Sequence, residues 1–229
     1  MGLSQYGLQD AYKRAKAAVI AAYISSGLDA KSAQLQADNA VLSQSYLRLE
    51  QELNASSTNY TFPVLNNQNA PGQTQRATEV RLAQQDCFFA SSISIYLANA
   101  ESATATNFQL LTYPSPGVFT LGGAAPAPLN TFYNGYMSLT INKSVIIPNY
   151  PLLNFYQIPQ TQLTAATNSP QDQFDPTVVS LWEPNISFVG TKQSNITIVL
   201  PSAMGTIDEY TYAVIELQGV LAQNVTLMS

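Results

Sequence analysis

Between Asn195 and Leu200 the side chains of Ile196, Ile198 and Leu200 alternate with Asn195, Thr197 and Val199, and between Tyr136 and Asn142 those of Met137, Leu139 and Ile141 alternate with Ser138 and Thr140. A repeat of two is that of a strand with one face buried. Further candidate strands cover Cys87 to Leu97, Asn107 to Thr112, Ser144 to Ile147, Leu153 to Ile158, Thr177 to Trp182, Asn185 to Val189, Tyr210 to Leu217 and Val220 to Thr226. Pro148, Pro151, Pro159, Pro176, Pro184 and Pro201 fall between these runs or at their ends, where a residue without an N–H costs no ladder hydrogen bond. About eight to ten short strands with no helical period between them predict a mainly β fold, an antiparallel sandwich or barrel, and exclude a parallel α/β sheet. The long gaps from Thr120 to Thr131, containing GGAAPAP, and from Gln160 to Asp175 suit the crossing loops of a single jelly roll better than tight hairpins.

The first fifty residues carry another period. Leu8, Ala11, Tyr12, Ala15, Ala18, Val19, Ala22 and Tyr23 recur at three-and-four spacing, which predicts a helix capped by Ser4 and stopped at Gly27. A second helix is expected from about Asp29 to Leu53. Leu35, Leu42 and Leu49 lie seven apart, Tyr46 and Leu53 fill intermediate positions, and Asn39 interrupts them, a short heptad seam with one polar position. Two readings are open: a hairpin packed on its own domain, or an arm whose Leu35, Leu42, Tyr46, Leu49 and Leu53 contact neighbouring subunits. The expected division is an N-terminal two-helix arm over residues 1–55 and a β-domain over residues 56–229, joined by a connector rich in Asn, Ser, Thr, Gln and Pro between about Asn54 and Gln75.

The β-domain is poor in charge. Residues 1–81 hold seven basic and six acidic side chains, whereas residues 82–229 hold only Lys143 and Lys192 against eight carboxylates. That density lies far below the roughly 25% charged residues of an average globular protein. Neutral polar and aromatic side chains must cover the surface instead, as they do in the charge-depleted centres of protein interfaces; an extracellular β-domain has the same texture. In the first helix Lys13, Arg14 and Lys16 form a small basic cluster opposed by Asp10. They are candidates for facing nucleic acid, because clustered cations neutralise phosphates, or else they form a solvated helix face. A formal net charge of −5 and the lack of a basic surface interleaved with aromatics argue against strong autonomous nucleic-acid binding.

Chemistry is constrained mainly by exclusion. The chain has no His and one Cys, so His-dependent triads and zinc sites built on His or paired Cys are ruled out, and no intrachain disulfide can form. Cys87, ahead of Phe88 and Phe89, reads as a small buried hydrophobe. Asp172 and Asp175 with Glu183, or Asp208 with Glu209, offer paired carboxylates for glycoside hydrolysis or calcium, but each falls near Pro or Gly in a predicted loop, where solvated acids are ordinary. Glu216 shares a strand face with Tyr210 and Tyr212 and is expected to point to the more polar side or pair locally. Gly122 and Gly123 precede neither a helix nor a Lys, so a phosphate loop is unsupported. The six Asn-x-Ser/Thr triplets match chance in so Asn- and Thr-rich a chain. The start, MGLSQYGLQDAYKRAK, reads as neither a secretory leader nor, with Tyr6 at its sixth position, a myristoylation site. Ala17 to Ile24 falls well short of the roughly 20 apolar residues of a membrane span, and a soluble chain is expected. No cofactor, metal or small-molecule substrate is expected, and the chain does not read as an enzyme.

Arg76 to Thr161, with RATEVRLAQQDCFFASSISIYLA, LLTYPSPGVFT and LNTFYNGYMSLTINKSVIIPNYPLLNFYQIPQTQ, resembles virion structural proteins of icosahedral phages that infect Bacteroidetes hosts such as flavobacteria. The resemblance covers a little over a third of the chain and carries no catalytic residues. It implies a capsid subunit of the jelly-roll kind, made in the host bacterial cytoplasm and resident in the virion. Its partners would be copies of itself and other virion proteins, with weak nonspecific contact of the arm to genome or an internal membrane. If the relatives are double-barrel proteins, this chain departs from them, since its β-rich part suffices for one eight-stranded barrel and scarcely for two. The rival readings are a receptor- or glycan-binding spike or adhesin domain and a carboxylate-based hydrolase acting on surface glycans.

Overall fold

The structure, a computed structural model, describes residues 5–25, 27–64, 86–100, 109–115, 118–119, 127–159, 178–190 and 192–225. Two helices, α1 (Gln5–Ser25) and α2 (Ala30–Asn39), precede β1 (Val41–Glu52), β2 (Asn59–Pro63), β3 (Cys87–Asn99) and β4 (Gln109–Leu111). After them come α3 (Ala127–Tyr133), β5 (Tyr136–Ile141), β6 (Ser144–Pro151), a 3-10 helix (Leu152–Phe155), β7 (Ser180–Val189), β8 (Ser194–Val199) and β9 (Thr211–Gln223). The strands form two sheets, one ordered β1-β9-β3-β4 with β7 also on β3, the other ordered β2-β8-β5-β6. Every pairing is antiparallel, so the fold is mainly β, as the period of two predicts.

The pairing is nested. β1 pairs with β9, β2 with β8, β3 with β7 and β5 with β6, like the two arms of one long hairpin. β9 on β3 and β8 on β5 then close each sheet. Alternation sends Ile93, Ile95 and Leu97 of β3, Ala213, Ile215 and Leu217 of β9, Met137 and Leu139 of β5, and Ile196 and Ile198 of β8 into one core. Phe88, Phe132, Phe155 and Phe188 are fully buried in it, and burying such a side chain contributes about 1.5–3 kcal/mol. The register of β3 on β9 shifts between Ala90 and Ser92. Beside that bulge a Cβ on Gly219 would lie 2.0 Å from the Phe89 carbonyl oxygen, so only glycine lets the two backbones approach.

Local chemistry fixes the turns. Asn142 and Lys143 have φ of 47° and 68°, both positive as a two-residue hairpin between β5 and β6 demands. In the β1–β2 turn the Asn54 side-chain oxygen accepts from the Ser56 and Ser57 N–H groups at 3.2 and 2.7 Å. The Tyr60 hydroxyl donates to the Asn54 carbonyl at 2.9 Å, and this pins the turn to β2.

Several expectations are corrected. The second helix stops at Asn39 rather than near Leu53, and Val41–Glu52 is a strand of the first sheet. Leu42, Tyr46 and Leu49 therefore lie on a strand, Leu53 just beyond it, and no helical heptad seam exists. A seven-residue spacing keeps residues on one face of a helix but sends them to opposite faces of a strand. Accordingly Leu42 packs beneath the helices while Leu49 enters the core. The two-helix part ends ahead of residue 55 for the same reason. β2 lies inside the expected connector and α3 begins within the expected loop and runs past its end, whereas Leu153 to Ile158 begins as 3-10 helix instead of strand. The paired runs around Pro184 and around Gly219 merge into β7 and β9. Pro148 sits within β6, an outer strand of its sheet, and Pro184 within β7, where the register on β3 breaks. Ser4, Thr226 and the loop from Gln160 to Asp175 lie outside the described residues.

α1 and α2 form a hairpin on the outer face of the first sheet. Val19 and Tyr23 of α1 and Ala33 and Ala37 of α2 bury against Cys87, Phe89, Val189 and Ala222. Gly27, at φ 103°, turns the chain between them. The Asp29 carboxylate then accepts from the Lys31 and Ser32 N–H groups to cap α2.

Candidate functional site

The five residues expected to make subunit contacts separate. Leu49 and Leu53 are buried in the core and Leu42 is half-buried under the hairpin. Only Leu35, 59% exposed on α2, and Tyr46, 40% exposed on β1, present themselves to the outside.

The basic cluster faces protein carboxylates. Arg14 lies 3.9 Å from Glu183 of β7, and Lys16 pairs with Asp38 of α2. The Asp38 hydrogen bond raises the Lys16 ammonium above its ordinary value, and the Lys16 bond lowers the Asp38 carboxyl. Lys13 is exposed. Two of the three cations thus serve to hold α1 to α2 and to approach β7.

A charged group that sequence reasoning did not assemble sits on the outer face of β1 and β9. Arg48 Nε donates to Glu50 Oε1 at 2.8 Å and Nη1 to Glu216 Oε1 at 3.4 Å. Burial pushes the Glu216 carboxyl above its usual range, the Arg48 charge opposes the shift and Glu50 adds to it. Gln44, Ser45, Tyr46, Arg48, Glu216 and Gln218 line a shallow depression of about 360 Å³ there. Both carboxylates are engaged by the guanidinium, so the group acts as a clasp between strands. Of the acids considered for hydrolysis, Asp172 and Asp175 lie outside the described residues, and Glu183 and Glu209 are exposed. Among the described residues no three metal-ligating side chains cluster, and no helix is long and apolar enough to cross a membrane.

Several exposed apolar side chains lie along and just after β6. Val145 and Ile146 of β6 are 60% and 49% exposed, with Leu153 and Ile158 exposed just beyond it. No family model matches the chain, and no curated protein or solved structure matches it either. In the sequence VIIPNYPLL reads only as apolar; which of its residues are exposed depends on the register of β6 on β5.

Proposed function

We propose that the β-domain is a jelly roll and that the protein is a self-assembling structural subunit of an icosahedral phage virion shell. The nested pairing of β1/β9, β2/β8, β3/β7 and β5/β6 carries this reading. A long hairpin rolled into two four-stranded sheets is the construction of jelly rolls, a fold shared by viral capsid and lectin domains, and β4 is a three-residue addition to it. The charge-poor composition supports burial between copies, and so does the exposure of Val145, Ile146, Leu153 and Ile158 along and after β6. A subunit held on several sides must lose all of its contacts together to leave, so many weak contacts suffice for a closed shell.

Size-exclusion chromatography and electron microscopy of the purified chain at rising concentration test the proposal. Large symmetric particles or defined capsomers are the expected result. A strictly monomeric protein overturns it, and a small trimer that binds glycans favours the spike or adhesin reading in its place.

A further inference from the structure

Strand edges invite other strands, and soluble proteins blunt them with prolines, bulges or short length. Four edge or near-edge strands here are treated in this way: β4 has three residues, β2 has five and ends on Pro63, β6 carries Pro148 and Pro151, and β7 carries Pro184 at a register break. β1 differs. It runs for 12 residues without Pro, Gly or Lys, pairs with β9 without a register shift, and is the terminal strand of its sheet, with no described strand on its other side.

Its first half is open. Val41, Ser43, Gln44 and Tyr46 are exposed, and Val41 to Leu47 contains no charge. The Leu53 N–H donates to the Thr211 carbonyl at 2.8 Å, so the odd-numbered residues of β1 direct their backbone groups to β9. The even-numbered ones, Gln44 among them, direct theirs to the other edge.

We propose that the Val41–Leu47 edge pairs antiparallel with the same segment of a second copy, about a two-fold axis at Gln44, and joins two first sheets into one. This rests on the assembly reading and names one of its contacts. In that register Gln44 faces Gln44 of the second copy, where each amide side chain can donate and accept. Leu42 faces Tyr46, an apolar–aromatic cross-strand pair, and Ser43 faces Ser45. No like charges meet, whereas registers centred on Arg48 or Glu50 oppose identical charges. Pairing through seven residues a side is a small interface, suited to one contact among several in a shell.

A two-fold at Gln44 places its two α-carbons about 5.5 Å apart, within disulfide reach. Gln44→Cys in the full chain should therefore form a disulfide-linked dimer under mild oxidation, while Glu52→Cys, also exposed but eight positions from the axis, should not. The native Cys87 is buried with its thiol pushed up to about 12 and does not compete. Particles or capsomers that form without cross-linking at position 44 would overturn the edge pairing and leave the assembly reading standing. Equal cross-linking of the two variants also overturns it, because random collision explains that result. Monomeric protein with no cross-link overturns both.

Discussion

Glu216 sits where burial and a cation act in opposite directions. Burial, the larger effect, raises its carboxyl pKa, Arg48 pulls it down and Glu50 pushes it further up. Between the ordinary carboxylate range and the raised value, the folded protein keeps a proton that the unfolded chain releases, so this group's contribution to stability falls as pH rises through that interval. Urea unfolding midpoints taken between roughly pH 4 and 7 should therefore vary less for Glu216→Gln than for the native chain; an unchanged slope would assign it to another group. Asp29 and Asp38 work in the reverse sense. Hydrogen bonds lower both, so the stability they add is lost only as pH falls below the usual carboxylate range. The outward face of Glu216 was legible from the alternation of β9. Its partner was not, because Arg48 lies 168 positions away and only the β1–β9 register brings them together.

The helical hairpin is an element docked on a sheet rather than a free arm. Its contact with the sheet centres on Val19 and Tyr23 against Phe89, Val189 and Ala222. Tyr23→Ala should cost about 3–5 kcal/mol of that docking, as large-to-small aromatic substitutions in cores do. Hydrogen exchange is expected to quicken in α1 and α2 while β3 and β9 stay protected. Uniform loss of protection would mean that hairpin and sheets unfold as one unit. The first helix was legible because Ala15, Val19 and Tyr23 keep a four-residue beat, and all three are buried. β1 is masked in the sequence because the leucine spacing of seven outweighs the shorter alternation of Leu47, Leu49 and Leu53 with Arg48, Glu50 and Glu52. β2 escaped notice because only Tyr60 and Phe62 mark it among polar residues, and α3 because Leu129, Phe132 and Tyr133 follow an Ala- and Pro-rich stretch. A truncation meant to remove the helices must end near Asn39, since one at residue 50 removes most of β1.

For the whole molecule, assembly of the proposed shell through neutral and apolar contacts should respond little to ionic strength. Particle yield is expected to change by less than about twofold between roughly 50 and 500 mM NaCl, a range across which interactions between exposed charges pass from weakly to largely screened. A steep loss with salt would assign assembly to the few ionic groups instead. From β3 onward most strands were legible from local alternation, but their nested partners were not, because register between distant segments leaves no local mark. That nesting also sets a schedule. Val41 pairs with Gln223 and Glu52 with Tyr212, so a nascent chain on the ribosome holds its first strand ready on the order of ten seconds before the strand that completes the ladder emerges. Sequence-distant pairing of this kind folds slowly, and crowded polysomes would bring unfinished copies together during the wait.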